Sequence, residues 1–229
     1  EEVLCSNPHV AGFMLEPIQG EAGVVLPPDG YLAGVRELCT RYNVLMIADE
    51  VQTGIGRTGK LLAVDHEDVK PDLLILGKAL SGGVYPVSAA LGSDEVLLTI
   101  GPGEHGSTYG GNPLGCAVAM AALKVVRDEK LAENAAVMGE RLRAGLRAMG
   151  HPAVTTVRGR GLLNAIVIEP SADGLRSASA VCHQLKEEGL LAKPTHEHII
   201  RLAPPLVITA TEVDEALAII ERSVRNVFS

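Results

Sequence analysis

The stretch Leu73-Leu74-Ile75-Leu76-Gly77-Lys78-Ala79-Leu80-Ser81-Gly82-Gly83 decides how this chain is read. Consecutive aliphatic residues bounded by small ones have the character of a buried strand. The run ends on a lysine. An amine at the mouth of an apolar sheet is costly to keep charged. When desolvated its pKa falls, and it becomes a nucleophile able to form Schiff bases. Taken alone, the segment also suits a surface lysine after a strand.

Working outward, Val44-Leu45-Met46-Ile47-Ala48-Asp49-Glu50-Val51-Gln52-Thr53-Gly54 is a second apolar run, ending in carboxylates and a glycine loop. In open α/β sheets ligands bind beyond the carboxyl ends of strands, so Asp49 stands where a ligand cation would be met. A solvated strand-end carboxylate is the alternative. Ala11–Leu15 and Val87–Leu91 read as further strands. Tyr31–Tyr42 shows helical spacing after a Pro-Pro-Asp-Gly start, and Pro113–Val126 and Leu131–Met149 read as helices. Apolar strands alternating with helices predict an α/β fold with a largely parallel sheet covered on both faces. After residue 130 the pattern changes. Strands are predicted at Val154–Val157, Leu162–Ile168 and Ile199–Leu202, with helices at Ala178–Glu188 and Glu212–Val227. The predicted division is therefore a unit over 1–130 and a smaller one over 131–229.

The bulk numbers exclude several classes. With 229 residues, 47% of them hydrophobic, the chain can bury a sizeable core of one or two domains. Trp is absent and Phe occurs twice, so that core is aliphatic. A net charge of -8 without a basic run argues against nucleic acid as a partner. No apolar run is long enough to span a bilayer, and the start Glu1-Glu2-Val3-Leu4-Cys5 lacks the pattern of a signal peptide. Cys5, Cys39, Cys116 and Cys182 are scattered. They read as reduced, buried thiols of an intracellular protein, and no metal site is expected from them.

Other segments carry chemistry or imitate it. Gly54-Ile55-Gly56-Arg57-Thr58-Gly59 matches G-x-G-x-x-G. A dinucleotide site needs those glycines directly between a strand and a long helix, and here neither condition is met. The same segment fails as a P-loop, because Leu61 stands where a hydroxyl must meet Mg²⁺. His105-Gly106-Ser107-Thr108-Tyr109-Gly110-Gly111-Asn112-Pro113 offers hydroxyls and backbone amides near a helix start, which suit an anion. It also reads as an ordinary cap, with Asn112 at N-cap and Pro113 at N1. Glu16-Pro17-Ile18-Gln19-Gly20-Glu21 sets two carboxylates in a glycine-rich loop. Arg201, within Ile199-Ile200-Arg201-Leu202-Ala203-Pro204-Pro205, reads either as a bidentate grip on a carboxylate or as one half of a structural ion pair.

Together these strings resemble the class III pyridoxal-phosphate-dependent aminotransferases. The residues that carry the likeness are Glu16–Glu21, Ala48–Gly54, Gly77–Gly83 and His105–Pro113. The tail Gly189–Thr195 with Ile199–Pro205 resembles the ornithine aminotransferases among them. The resemblance implies fold type I, with a mainly parallel large domain and an α+β C-terminal small domain. It implies that Lys78 carries pyridoxal 5'-phosphate, that Asp49 pairs with the ring nitrogen, and that Gln52 hydrogen-bonds the phenolic oxygen. Thr108 with Ser107 would bind the phosphate of a neighbouring subunit in a homodimer. Arg201 would grip the substrate α-carboxylate, and Glu21 would pair with Arg201 during one half-reaction and leave it in the other. The implied reaction moves the δ-amino group of L-ornithine to 2-oxoglutarate. N-acetylornithine and 4-aminobutyrate are alternative substrates, and a non-catalytic dimerisation module is the rival outside enzymology. Family members are much longer than this chain, so it reads as a C-terminal part that is not competent alone. The implied setting is the cytoplasm or the mitochondrial matrix.

Overall fold

Three apolar runs pair in parallel: Gly12–Leu15 (β1), Leu45–Asp49 (β2) and Leu73–Leu76 (β3). A fourth strand, Ala89–Gly92 (β4), joins β3 antiparallel, giving the order β1-β2-β3-β4. The computed structural model describes residues 1–172 and 175–229. These strands belong to the first of two units, made of Glu1–Pro17, Pro27–Ile55 and Lys60–Lys130. The second unit takes Ile18–Leu26, Gly56–Gly59 and Leu131–Ser229.

In the first unit the helices are Glu2–Ser6 (α1), Tyr31–Arg41 (α2), Asp94–Leu97 (α3) and Pro113–Asp128 (α4). Met46 and Ala48 alternate onto one face of β2 and are fully buried with Leu32 and Cys39 of α2. This is the period-two pattern of a strand with one covered face. A second cluster gathers Ile55, Leu76, Leu80 and Ala119, the last from α4. The expectation of cover on both faces is not met by the described residues. Phe13 and Met14 of β1 are 38% and 56% exposed. The strand expected at Val87–Leu91 runs instead over Ala89–Gly92, starting two residues later and ending one later, where its backbone finds partners in β3.

The second unit holds Leu131–Ala148 (α5), Val154–Arg160 (β5), Leu163–Ile168 (β6), Ala178–Glu187 (α6), Lys193–Thr195 (β7), Ile199–Leu202 (β8) and Ala210–Phe228 (α7). Its antiparallel sheet has the order β5-β6-β8-β7. Leu142 and Leu146, Val181 and Leu185, and Val213, Ile220 and Val224 bring three helices onto Ile166, Ile168 and Ile200 of the sheet. Arg158-Gly159-Arg160 looks like a turn, yet β5 runs through it. The ladder pairs Arg158 with Ala165 and Arg160 with Leu163, and paired backbone outweighs weak local propensity. Helix α7 starts earlier than its apolar spacing indicates. Thr209 and Glu212 form a reciprocal capping box, which sets the start at Ala210.

The G-x-G-x-x-G segment has a packing role. Its residues Val51–Lys60 are turns and bends rather than a strand and helix. Gly161, at φ 55°, packs so closely that an added Cβ would lie 2.3 Å from the carbonyl carbon of Thr58. Arg57 donates to the carbonyls of Leu162 at 3.1 Å and Pro204 at 2.6 Å, and its burial lowers the guanidinium pKa. All four cysteines are free, but only Cys39 and Cys182 are buried, while Cys5 and Cys116 are exposed. Burial raises both buried thiols, Cys182 to about 11.

Candidate active site

Asp49 is the last residue of β2 and pairs in register with Ile75 of β3. Lys78 follows Ile75 by a few residues, just past the end of β3. The acid and the amine therefore leave neighbouring parallel strands at the same carboxyl edge, where α/β sheets bind ligands. Asp49 is half-buried. Its Oδ1 accepts the Val51 amide at 3.0 Å, which orients the carboxylate.

Lys78 starts a short 3-10 turn, Lys78–Ser81, with its own backbone at φ 42°. A left-handed lysine is uncommon and is held there by its surroundings. Leu80 and Ser81 are buried beneath it. The lysine side chain is exposed. The desolvation anticipated from the apolar run is thus not supplied by the described residues.

Lys78 opens into a recess of about 510 Å³, whose wall includes Ser88, Ser107, Tyr109, Asn112 and Cys116. Asn112 caps α4 by accepting the Gly115 amide at 2.7 Å, with Pro113 at the first helical position. Ser107 Oγ accepts the Gly110 amide at 2.8 Å, and a hydroxyl that accepts one bond still has a proton to donate. Lys78 and Ser107 are brought together in this wall, whereas Thr108, Asp49 and Gln52 do not line it.

Beside Asp49 the sequence reading missed a residue with a structural part. Glu50 is completely buried. It accepts the Val64 amide at 2.9 Å and the Thr53 hydroxyl, and so closes the turn segment that carries Gln52. Burial pushes its carboxyl above the usual range. The signal was present as an acidic residue on the buried phase of β2's alternation, next to Met46 and Ala48.

The second unit holds the other polar constellation. Arg201, on β8, donates to Glu21 at 2.5 Å, with side chains 14% and 61% exposed. The Arg201 guanidinium, by hydrogen bond and then by charge, holds the Glu21 carboxyl down at about 2. The loop carrying Glu21 is clamped through its backbone. Arg158 donates twice to the Gly23 carbonyl, at 3.1 and 2.8 Å, and His196 Nε2 lies 3.0 Å from the Glu21 carbonyl. Gly23 has φ 101°, and a Cβ there would meet Ile199 at 2.4 Å, so the sharp bend requires glycine.

The family profile described as Aminotransferase class-III matches residues 2–224. The chain belongs to the class-III aminotransferases. It is 66% identical over 218 residues to the mitochondrial ornithine aminotransferase of Drosophila melanogaster, covering 95% of this chain and 50% of that one. The mitochondrial ornithine aminotransferase of Rattus norvegicus is 62% identical, with 95% and 49% covered. Among solved structures, the ornithine aminotransferase of Toxoplasma gondii superimposes with TM-score 0.94 at 50% identity, covering 99% of this chain and 53% of that one. The acetylornithine aminotransferase of Elizabethkingia anophelis gives 0.93 at 56% identity, with 98% and 59% covered. The fold is the α/β type I fold of the pyridoxal-phosphate aminotransferases. This class-III chain spans about half the length of the curated relatives it matches. Among the described residues no helix is long and apolar enough to cross a membrane.

The residues present fit the cofactor of the class. Lys78 supplies a primary amine, the partner an aldehyde needs, and Asp49 a carboxylate, the partner a protonated ring nitrogen needs, at the carboxyl ends of neighbouring parallel strands. Ser107 adds a hydroxyl oxygen to the recess that Lys78 lines.

Proposed function

We propose that this chain is part of an ornithine δ-aminotransferase, a homodimer that moves the δ-amino group of L-ornithine to 2-oxoglutarate. The products are glutamate semialdehyde and glutamate. Pyridoxal 5'-phosphate, when bound, supplies the electron sink for the carbon that loses its proton. This chain, about half the length of its relatives, would supply the following parts. Lys78 Nζ would hold the cofactor aldehyde and, once the substrate amine displaces it, the freed amine would carry the proton to and from the substrate carbon. Asp49 would keep the ring nitrogen protonated, and Gln52 would donate to the phenolic oxygen. Ser107 and Thr108 would bind the phosphate of the cofactor held by the neighbouring subunit.

The observation that carries the ornithine reading is the Glu21–Arg201 pair. A substrate with two carboxylates needs Arg201 for one of them. Ornithine reacts at its distal amine and leaves that arginine without a carboxylate. Glu21 fills the position, so one pocket serves both substrates. The supporting likeness is the identity to named ornithine aminotransferases. The likeness to an acetylornithine aminotransferase structure favours a second reading, in which the acetylated substrate is used.

The test is purified full-length enzyme with L-ornithine or N-acetylornithine against 2-oxoglutarate. Semialdehyde formation from free ornithine, lost in Lys78→Ala together with the cofactor's absorbance band, is the expected result. A preference for the acetylated amine would select the second reading. An absorbance band unchanged in Lys78→Ala would remove the role of the lysine. We place the whole enzyme in the mitochondrial matrix or cytoplasm, with small amino and oxo acids rather than nucleic acid or membrane as its partners.

A further inference from the structure

Strands β7 and β8 pair antiparallel with Lys193 directly opposite Arg201. Like charges facing each other across a ladder are destabilising. Here an anion lies between them. One carboxylate oxygen of Glu21 meets Arg201 at 2.5 Å, and the other stands 3.5 Å from Lys193 Nζ.

The two cations differ in kind. Arg201 is largely enclosed at 14% exposure, while Lys193 is 68% exposed, at the rim. Arginine presents a rigid fork suited to a planar carboxylate, whereas lysine is a mobile point charge. The backbone of the Glu21 loop is fixed by Arg158 and His196. The Glu21 carboxylate stands between two cations, Arg201 and Lys193.

We propose that Lys193 is a specificity-determining positioning residue, which receives the Glu21 carboxylate when Arg201 is taken by the carboxylate of a substrate. This rests on the transaminase reading above. Without a waiting cation, a displaced Glu21 would remain beside the incoming carboxylate and repel it. With Lys193 at the rim, the glutamate moves outward toward water and keeps a charged partner. Lys193 thereby favours the dicarboxylate half-reaction; in the ornithine one Glu21 keeps its shorter pair with Arg201.

The experiment uses the full-length enzyme and the variants Lys193→Met and Lys193→Arg. Each half-reaction is followed separately with L-ornithine and with L-glutamate. Lys193→Met is expected to raise the KM for glutamate and 2-oxoglutarate roughly threefold to fivefold, the range of an exposed ion pair. The ornithine KM and both kcat values stay within about twofold of wild type. Lys193→Arg restores the split. Equal changes in both half-reactions, or none, would overturn the proposal. A second measurement needs no cofactor: NMR titration of the Glu21 carboxyl in Arg201→Gln. The carboxyl is expected to stay below its ordinary value there, and to return to it when Lys193→Met is added. Return in Arg201→Gln alone would equally overturn the proposal. If wild type shows no ornithine-dependent turnover, the transaminase reading fails, while the titration still judges whether Lys193 holds Glu21.

Discussion

Glu50 accepts the backbone amide of Val64 at 2.9 Å inside a fully buried site, closing the turns that follow β2. The same carboxylate takes the Thr53 hydroxyl. A buried donor stripped of its acceptor costs about 1–3 kcal/mol. Glu50→Ala leaves two such donors and a cavity, so a loss of about 3 kcal/mol or more is expected. Glu50→Gln keeps an acceptor for Val64 and should lose less. Urea unfolding compares the three proteins, and an equal loss in both variants would show that the hydrogen bond to Val64 is not what matters.

The pH dependence at this site has a definite sign. Burial raises the folded-state carboxyl of Glu50 above its ordinary value of 4.5. Between those two pKa values the folded state holds the proton and the unfolded state does not. Stability from this group is therefore complete below about 4.5 and falls as pH rises through the folded-state pKa. Glu50→Gln removes that slope. Its stability relative to wild type should improve as pH rises above 4.5, and a constant difference across that range would contradict the burial argument.

Glu21 behaves in the opposite sense. Its folded-state carboxyl lies at about 2 against an ordinary 4.5, so its contribution is present above 4.5 and is lost as pH falls toward 2. The group is 61% exposed, so solvent and salt screen the pair. Wild type should exceed Glu21→Gln in urea midpoint near neutral pH and lose that advantage in acid, with the gap narrowing in high salt. A gap that persists at low pH would mean that the Arg201 partnership does not set it.

Much of this architecture is legible in the chain. The run Leu73–Leu76 is a strand as its apolar character demands, and the helices begin near their caps because Asn112 and Thr209 provide them. The β7–β8 hairpin is not legible. Its loop places His196 and Glu197 at φ 47° and 58°, a conformation that Asn-Gly signals and His-Glu does not. Strand β7 contains Pro194, tolerable because β7 is an edge strand. Nor could spacing reveal that Ile18–Leu26 and Gly56–Gly59 leave the first unit for the second. That choice depends on contacts over long sequence separation, such as Arg158 to Gly23 and Arg57 to Pro204. Lys78, Asp49 and Arg201 draw attention in the sequence because each is a charged residue at the end or in the middle of an apolar run. Lys193 carries no such mark.

Arg143 tests the core of the second unit. Its guanidinium, with a side chain 10% exposed, donates to the Gly161 carbonyl at 2.8 Å, Asn164 Oδ1 at 2.7 Å and Glu140 at 2.9 Å. Asn164 is itself fully buried. Arg143→Ala strips Asn164 Oδ1 of this donor and leaves the Gly161 carbonyl its bond from Asn164 Nδ2 at 3.1 Å, and a loss of about 2 kcal/mol is expected. Arg143→Lys keeps the charge but cannot reach all three acceptors, so it should recover only part of that loss. Full recovery by lysine in thermal unfolding would show that charge alone, not the fork, holds this site.

Asp49→Asn separates orientation from charge. The wild-type Oδ1 is fixed by the Val51 amide at 3.0 Å, and an asparagine Oδ1 can accept the same bond with almost the same shape. Folding stability should therefore change by less than about 1 kcal/mol. What the amide cannot do is face a ring nitrogen with a negative charge and keep its proton in place. Removing one preorganised electrostatic partner costs roughly a hundredfold in rate. The full-length variant should thus bind the cofactor more weakly and transfer the amino group about a hundredfold more slowly, at near-wild-type stability. Addition of an N-methylated cofactor, whose ring nitrogen is permanently cationic, should recover part of the rate in Asp49→Asn. Wild-type turnover in the variant would show that the carboxylate at the end of β2 does not meet the ring.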